Sequence, residues 1–129
     1  SEKQPETATP KGELVLRAAA FPADTNPDGD IFGGWLLAQM DIAGGLAAKE
    51  RSQGRVVTVS LDRMVFHKPV HIGDILCCYA HEERLGRTSV TFRVQAWVLR
   101  EGIGPRELVT EGLFTFVALD EHAKPRVIK

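Results

Sequence analysis

The stretch Asp24-Thr-Asn-Pro-Asp-Gly-Asp-Ile-Phe-Gly-Gly-Trp-Leu-Leu-Ala-Gln-Met-Asp-Ile-Ala-Gly-Gly45 decides how this chain is read. Its first part, up to Phe32, is rich in Asp, Asn, Pro and Gly and reads as a loop. From Gly33 the pattern changes. Leu37, Asp41, Gly44 or Gly45, and Ala48 recur on one helical face, with Leu36, Met40, Ala43 and Ala47 beside them. The spacing predicts one long helix over Gly33–Ser52, apolar on both stripes apart from Asp41 and therefore buried nearly all round. Lys49, Glu50 and Arg51 form its solvated end, and Gly54 is expected to close it. Gly44 and Gly45 each weaken a helix by roughly 1 kcal/mol relative to Ala, so something is expected to approach them closely. An ionised carboxylate on an apolar face is costly to bury. The Gly33-Gly34 pair puts bare amides at a helix start, where the dipole favours negative charge. Asp41 and these amides are therefore the first candidates for a site of acyl-transfer chemistry.

Working outward, residues 1–11 are polar, contain Pro5 and Pro10, and read as a disordered tail. Leu14 to Ala20 is a strand candidate ending at Phe21-Pro22. Beyond the helix the chain alternates as strands: Arg55–Phe66, Ile75–Leu85, Thr88–Arg100 and Glu107–Leu119. Gly86-Arg87 is a tight hairpin connection. In the third of these strands Val90, Phe92, Val94, Ala96 and Val98 share a face, opposite Thr91, Arg93, Gln95 and Trp97. The expected class is α+β: one helix wrapped by a five-stranded antiparallel sheet. Residues 12–126 form the domain, with a basic tail from Lys124 whose last residues, 127–129, lie outside it. One helix cannot cover a sheet of that length, so at least a dimer is expected.

The chain has 129 residues, 43% hydrophobic and 26% charged, with net charge −1. That fits one soluble domain and gives no electrostatic footprint for nucleic acid or an anionic membrane. No apolar run approaches the roughly 18 residues of a membrane span. Cys77 and Cys78 are adjacent, so in a strand they face opposite ways and cannot pair without distorting the backbone. Reduced, buried thiols are expected, and with them a cytoplasmic location. His67, His71, His81 and His122 share no metal-ligand spacing, so no metal is expected.

Pro22-Ala-Asp-Thr-Asn26, Gly29-Asp-Ile-Phe-Gly-Gly-Trp35, Gln39-Met-Asp41, Gly54-Arg-Val-Val-Thr-Val59, Lys68-Pro69 with Gly73-Asp74, and Thr88-Ser89 are collinear over nearly the whole chain. In this the sequence resembles the hotdog-fold acyl-CoA thioesterases, most closely the short bacterial YciA-type hydrolases. The resemblance implies a hotdog fold and hydrolysis of acyl-CoA to free acid and CoA, without metal or organic cofactor. It implies that Asp41 is the essential carboxylate, that Asn26 is a second catalytic residue, and that Gly33 or Gly34 supplies the amide at the thioester carbonyl. It further implies sites at a dimer interface, built by both subunits, and commonly a trimer of dimers. Related enzymes hold CoA at the strand start matching Thr88 and Ser89, next to Arg87 and Val90. Val59, Ser60 and Leu61 match the strand edge along the pantetheine arm, and Lys68 and Arg126 are further cation candidates.

The chemistry is consistent with these residue types. A thioester is already activated, so a polarised carbonyl and an oriented water or carboxylate suffice, without a Ser-His-Asp set. Asp41 suits either general base or nucleophile. Asn26 is also a common turn former, and the glycines also serve close packing. Two other functions are compatible with such a pocket. A dehydratase acting on acyl thioesters wants a histidine near the helix, and none lies before His67. A non-catalytic acyl-CoA-binding module would keep the pocket and lose turnover.

Overall fold

A computed structural model describes residues 9–129. Strand β1 (Glu13–Ala19) leads through a short 3-10 turn at Pro22–Asp24 into the long helix α1 (Gly33–Ser52), whose ends are those expected from its periodicity. Strands β2 (Val56–Phe66), β3 (Ile75–Leu85), β4 (Ser89–Leu99) and β5 (Arg106–Ala118) follow. They form one antiparallel sheet in the order β1-β3-β4-β5-β2, with β1 and β2 at its edges.

The alternation along β4 sorts as its sequence requires. Val90, Phe92, Val94, Ala96 and Val98 are buried beneath α1 with Phe114 and Phe116 of β5. On the outer face, Trp97 packs with Cys77, Tyr79 and Leu99 in a second cluster. Gly44 sits tight against the sheet: a Cβ there would lie 2.8 Å from the Phe116 ring. At Gly45 the same atom would make an ordinary 3.7 Å contact.

The helix is not buried all round. Leu36, Met40, Ala43, Gly44, Ala48 and Ser52 face the sheet, while Ile42 and Leu46 are about half exposed. A single sheet can cover only one side of a helix, so within one chain the opposite stripe stays bare. The helix ends at the expected residue but is capped differently. Gln53, not a glycine, takes the left-handed conformation (φ 58°, ψ 42°). Gly54 is needed for another reason: a Cβ there would strike the Arg126 guanidinium. Arg126 donates to the Ser52 carbonyl (2.9 Å), the Ser52 hydroxyl (3.2 Å) and the Leu119 carbonyl (3.0 Å). It satisfies the orphan carbonyl of the last helical turn.

The ends of the chain are more tightly docked than their composition suggests. Ile128 is buried in the main core and its amide donates to the Arg87 carbonyl (2.9 Å), so 127–129 belongs to the folded unit. At the other end the Lys11 amide donates to Gln95 Oε1 (2.9 Å), placing that residue on the sheet. Residues 1–8 of the expected tail lie outside the described residues.

Cys77 and Cys78 are free, buried and on opposite faces. Burial, with the neighbouring Cys77, pushes the Cys78 thiol up to about 12. Thiolate is the reactive form and both side chains are shut off from solvent, so neither should react with a disulfide reagent at pH 8 in the native protein. Both should titrate once it is unfolded in denaturant; rapid native-state reaction of Cys78 would contradict this packing.

Candidate active site

The loop before α1 is built on Asn26. Its Oδ1 accepts the amides of Asp28 (2.9 Å) and Asp30 (3.0 Å), and Gly29 makes the bend with φ 88°. The carbonyl side of Asn26 is thus committed to shaping the turn, and any catalytic part falls to its Nδ2 amide. Two backbone bonds then aim the helix: Ile31 N to Val70 O (3.2 Å) and Phe32 N to Asp24 O (2.9 Å). Phe32 caps α1 through its backbone alone, and the first helical bond is Leu36 N to Phe32 O. The helix leaves the amides of Gly33, Gly34 and Trp35 unused, and both glycines are exposed. Gly33 opens on a cavity of about 280 Å³ lined also by Ile31, Leu36, Phe66, His67, Lys68, Pro69 and Val70.

Asp41 lies on the α1 flank that faces β2. It is only partly buried, less enclosed than Met40 beside it, because β2 is an edge strand and leaves that flank open. Thr58 of β2 donates its hydroxyl to Asp41 Oδ1 (2.7 Å). Thr58 was not among the expected site residues. The available signal was its place in the alternation Val56-Val57-Thr58, since Val56 and Thr58 pair with Ala118 and Phe116, which face the helix.

Asp41 lies eight positions after Gly33 on the same helix, a rise of about 12 Å. That is too far for one carbonyl to accept from the Gly33 amide and be attacked directly by the Asp41 of the same chain. Around Asp41, Ile42, Val59 and Leu61 are all exposed to about half their area.

The expected CoA contacts fall on the β3–β4 hairpin and on β2. Arg87 is exposed at the β3–β4 hairpin, and the Thr88 carbonyl accepts the amide of Ala118, which pairs with Val56 at the start of β2. Ser89 opens β4, and its carbonyl accepts the Gly86 amide (2.7 Å). Val59, Ser60 and Leu61 are exposed in mid-strand, and Phe66 at the far end borders the cavity at the helix start. A strand of this length spans about 35 Å, which suits an elongated ligand. Val90 does not belong with the others: its side chain is wholly buried under α1, because position 90 falls on the inward phase of β4.

Lys68 donates to Glu107 (3.0 Å), which also accepts from Arg100 (3.1 Å). Arg100 in turn pairs with the buried Asp74. His67 contacts Glu111 (3.1 Å), and among the described residues no His, Cys, Asp and Glu group has the form of a metal site. These bonds depress several carboxyls. The Lys68 hydrogen bond, against the upward push of burial and helped by Arg100, holds Glu107 below its ordinary 4.5. The Arg93 hydrogen bond lowers Glu83. Burial pushes Glu111 up, but the bonds from His67 and Gln95 more than offset it. Groups whose native pKa is depressed stabilise the fold above their unfolded pKa and lose that contribution as pH falls through the native one. The melting temperature should therefore hold from pH 7 to about pH 5 and fall below that. Glu107→Gln should make the acid slope shallower.

Residues 28–103 match the thioesterase superfamily, and the chain belongs to that family. It is 54% identical over 121 residues to the acyl-CoA thioester hydrolase YciA of Salmonella typhimurium, covering 92% of this chain and 91% of that protein. Among solved structures it is similar to the hexameric thioesterase y2039 of Yersinia pestis (TM-score 0.90, 54% identity, 94% of this chain and 98% of that one). It is likewise similar to Cj0915, a hexameric hotdog fold thioesterase of Campylobacter jejuni (TM-score 0.86, 44% identity, 92% and 91%). One long helix against a five-stranded antiparallel sheet is that hotdog fold. No helix among the described residues is long and apolar enough to cross a membrane.

Proposed function

We propose that this protein hydrolyses acyl-CoA thioesters to carboxylic acid and CoA, with Asp41 as general base on water or as the attacking carboxylate. The observation that carries this reading is the half-open Asp41 carboxylate, oriented by the Thr58 hydroxyl at 2.7 Å on the flank beside an apolar edge strand. The names of the relatives, acyl-CoA thioester hydrolase and thioesterase, support the same reaction. A thioester needs little more than such a base and a polarised carbonyl.

The polarising donors are the free amides of Gly33 and Gly34. Because the two halves lie too far apart on one helix, the working site combines Asp41 of one chain with the helix start of another. The second chain packs on Ile42, Val59 and Leu61, and buries the edge that β2 otherwise leaves open. The hexameric state of the y2039 and Cj0915 thioesterases supports assembly of such pairs into a hexamer. Pantetheine then follows Val59–Leu61 toward the nucleotide end at Arg87, Thr88 and Ser89. Asn26 Nδ2 serves to orient water or the carbonyl.

A thiol-release assay over a panel of acyl-CoAs tests the reaction. Stoichiometric free CoA supports it. Tight CoA binding with no release makes the chain a binding module instead, and appearance of an enoyl product makes it a dehydratase.

A further inference from the structure

The cavity at the helix start has two walls of different origin. Ile31 and Leu36 come from the helix side, and Phe66, Pro69 and Val70 from the chain that leaves β2. The two are joined by the Ile31 N to Val70 O bond. The outer wall is loop, and loop backbone keeps its place only where its polar groups are held. Backbone bonds tie its two ends to the sheet, Lys68 N to Val109 O (3.2 Å) at one and Gly73 N to Ala20 O (3.1 Å) at the other, and a side chain outside the cavity adds a third hold between them. Arg100, at the end of β4, donates to the Pro69 carbonyl (3.1 Å), to Glu107 Oε2 (3.1 Å) and to the carboxylate of Asp74. Asp74 is 2% exposed and also accepts the His71 amide (2.8 Å). Glu107 bonds Lys68 (3.0 Å) as well. One planar guanidinium thus fixes the segment 68–74 at its beginning, through Lys68 and Pro69, and at its end, through Asp74. An apolar-walled space beside a polarised thioester carbonyl suits the first carbons of an acyl chain better than the amide-rich pantetheine arm.

We propose that Arg100 is a positioning residue for the acyl end of the substrate, setting, through the Pro69 carbonyl and through Glu107 on Lys68, how wide the cavity at the helix start stands. This rests on the reading that the carbonyl is held by the first amides of α1. Its consequence is for acyl selectivity rather than for CoA recognition, because the wall it braces lies at the end of β2 remote from Arg87 and Thr88.

Arg100→Lys separates bracing from folding. The ammonium still compensates buried Asp74, but as a point charge it cannot hold Pro69, Glu107 and Asp74 in one fixed fork. Glu107→Gln cuts the link between Lys68 and Arg100 and leaves Arg100 on Asp74. Both variants are assayed for kcat and KM on straight-chain acyl-CoAs from acetyl to dodecanoyl and on isobutyryl-CoA. Thermal melts and inhibition by free CoA are measured alongside. The expected result is a melting temperature near wild type and an unchanged inhibition constant for CoA. The best acyl chain loses about 10-fold in kcat/KM, and poorly accepted or branched chains gain on it, flattening the profile. An acyl profile parallel to wild type in both variants, at whatever overall level, makes Arg100 a structural anchor and overturns the proposal. Should Arg100→Lys fail to fold, Glu107→Gln alone decides between these outcomes. If the wild-type protein releases no CoA from any substrate, it is the underlying reading that falls, and this shows before any variant is made.

Discussion

Asp41→Asn lowers kcat for acyl-CoA hydrolysis by on the order of 100- to 10,000-fold, the range that a positioned general base supplies, while KM and the melting temperature stay near wild type. The substitution keeps size and an oxygen that accepts the Thr58 hydroxyl, now 2.7 Å from Asp41 Oδ1. What it removes is the negative charge needed to take a proton from water or to attack carbon. Because the residue is only partly buried, an amide in its place leaves no stranded charge and no cavity. A loss confined to kcat therefore reports chemistry rather than folding. Thr58→Val should give a smaller loss, since it frees the carboxylate to rotate but leaves its charge. A residual rate in Asp41→Asn within a few-fold of wild type would show that another group does the work.

Much of this was legible along the chain because it is written in local periodicity. The 3.6-residue spacing from Leu36 to Ala48, between a loop of Asp, Asn, Pro and Gly and a Lys-Glu-Arg end, yields α1 from Gly33 to Ser52. The alternation of Val90 to Val98 likewise sorts the two faces of β4. Asp41 and the glycine pair stand out as residues such a helix would not otherwise carry. What escaped is long-range. Thr58 meets Asp41 only because β2 crosses to the far edge of the sheet beside β5, an order that no local pattern states. Arg126 reads as part of a basic tail until its guanidinium is found on the carbonyl of Ser52, 74 residues earlier. Ile128 and Arg100 follow the same logic, since a cap or a brace is defined by its partner. The distance between the two halves of the site was also hidden. Both lie on one helix, so the sequence shows them as neighbours, while a helix of this rise holds them about 12 Å apart.

That separation makes the helix start the place for the second large effect. Gly33→Pro removes one amide donor without removing the helix. Position 33 is the first helical residue, where proline is well tolerated and the lost N–H has no helical partner. Phe32, with φ −56° and ψ 134°, already holds the extended conformation that a following proline demands. A Cβ at Gly33 meets nothing within 4 Å. Loss of a donor to a developing oxyanion raises the barrier by roughly 2.7 to 4 kcal/mol, or about 100- to 1,000-fold in kcat. Gly33→Ala, which keeps the N–H, should lose far less, and Gly34→Pro asks the same question of the next amide. Mixing then tests how the halves are shared. Chains carrying Asp41→Asn and chains carrying Gly33→Pro, unfolded and refolded together, form mixed pairs in which one site holds both lesions and the other holds neither. In a two-fold pair about a quarter of all sites would be intact, and activity should rise to that fraction from two nearly inactive parents. If each site were built within a single chain, every site in the mixture would carry a lesion and no recovery would appear.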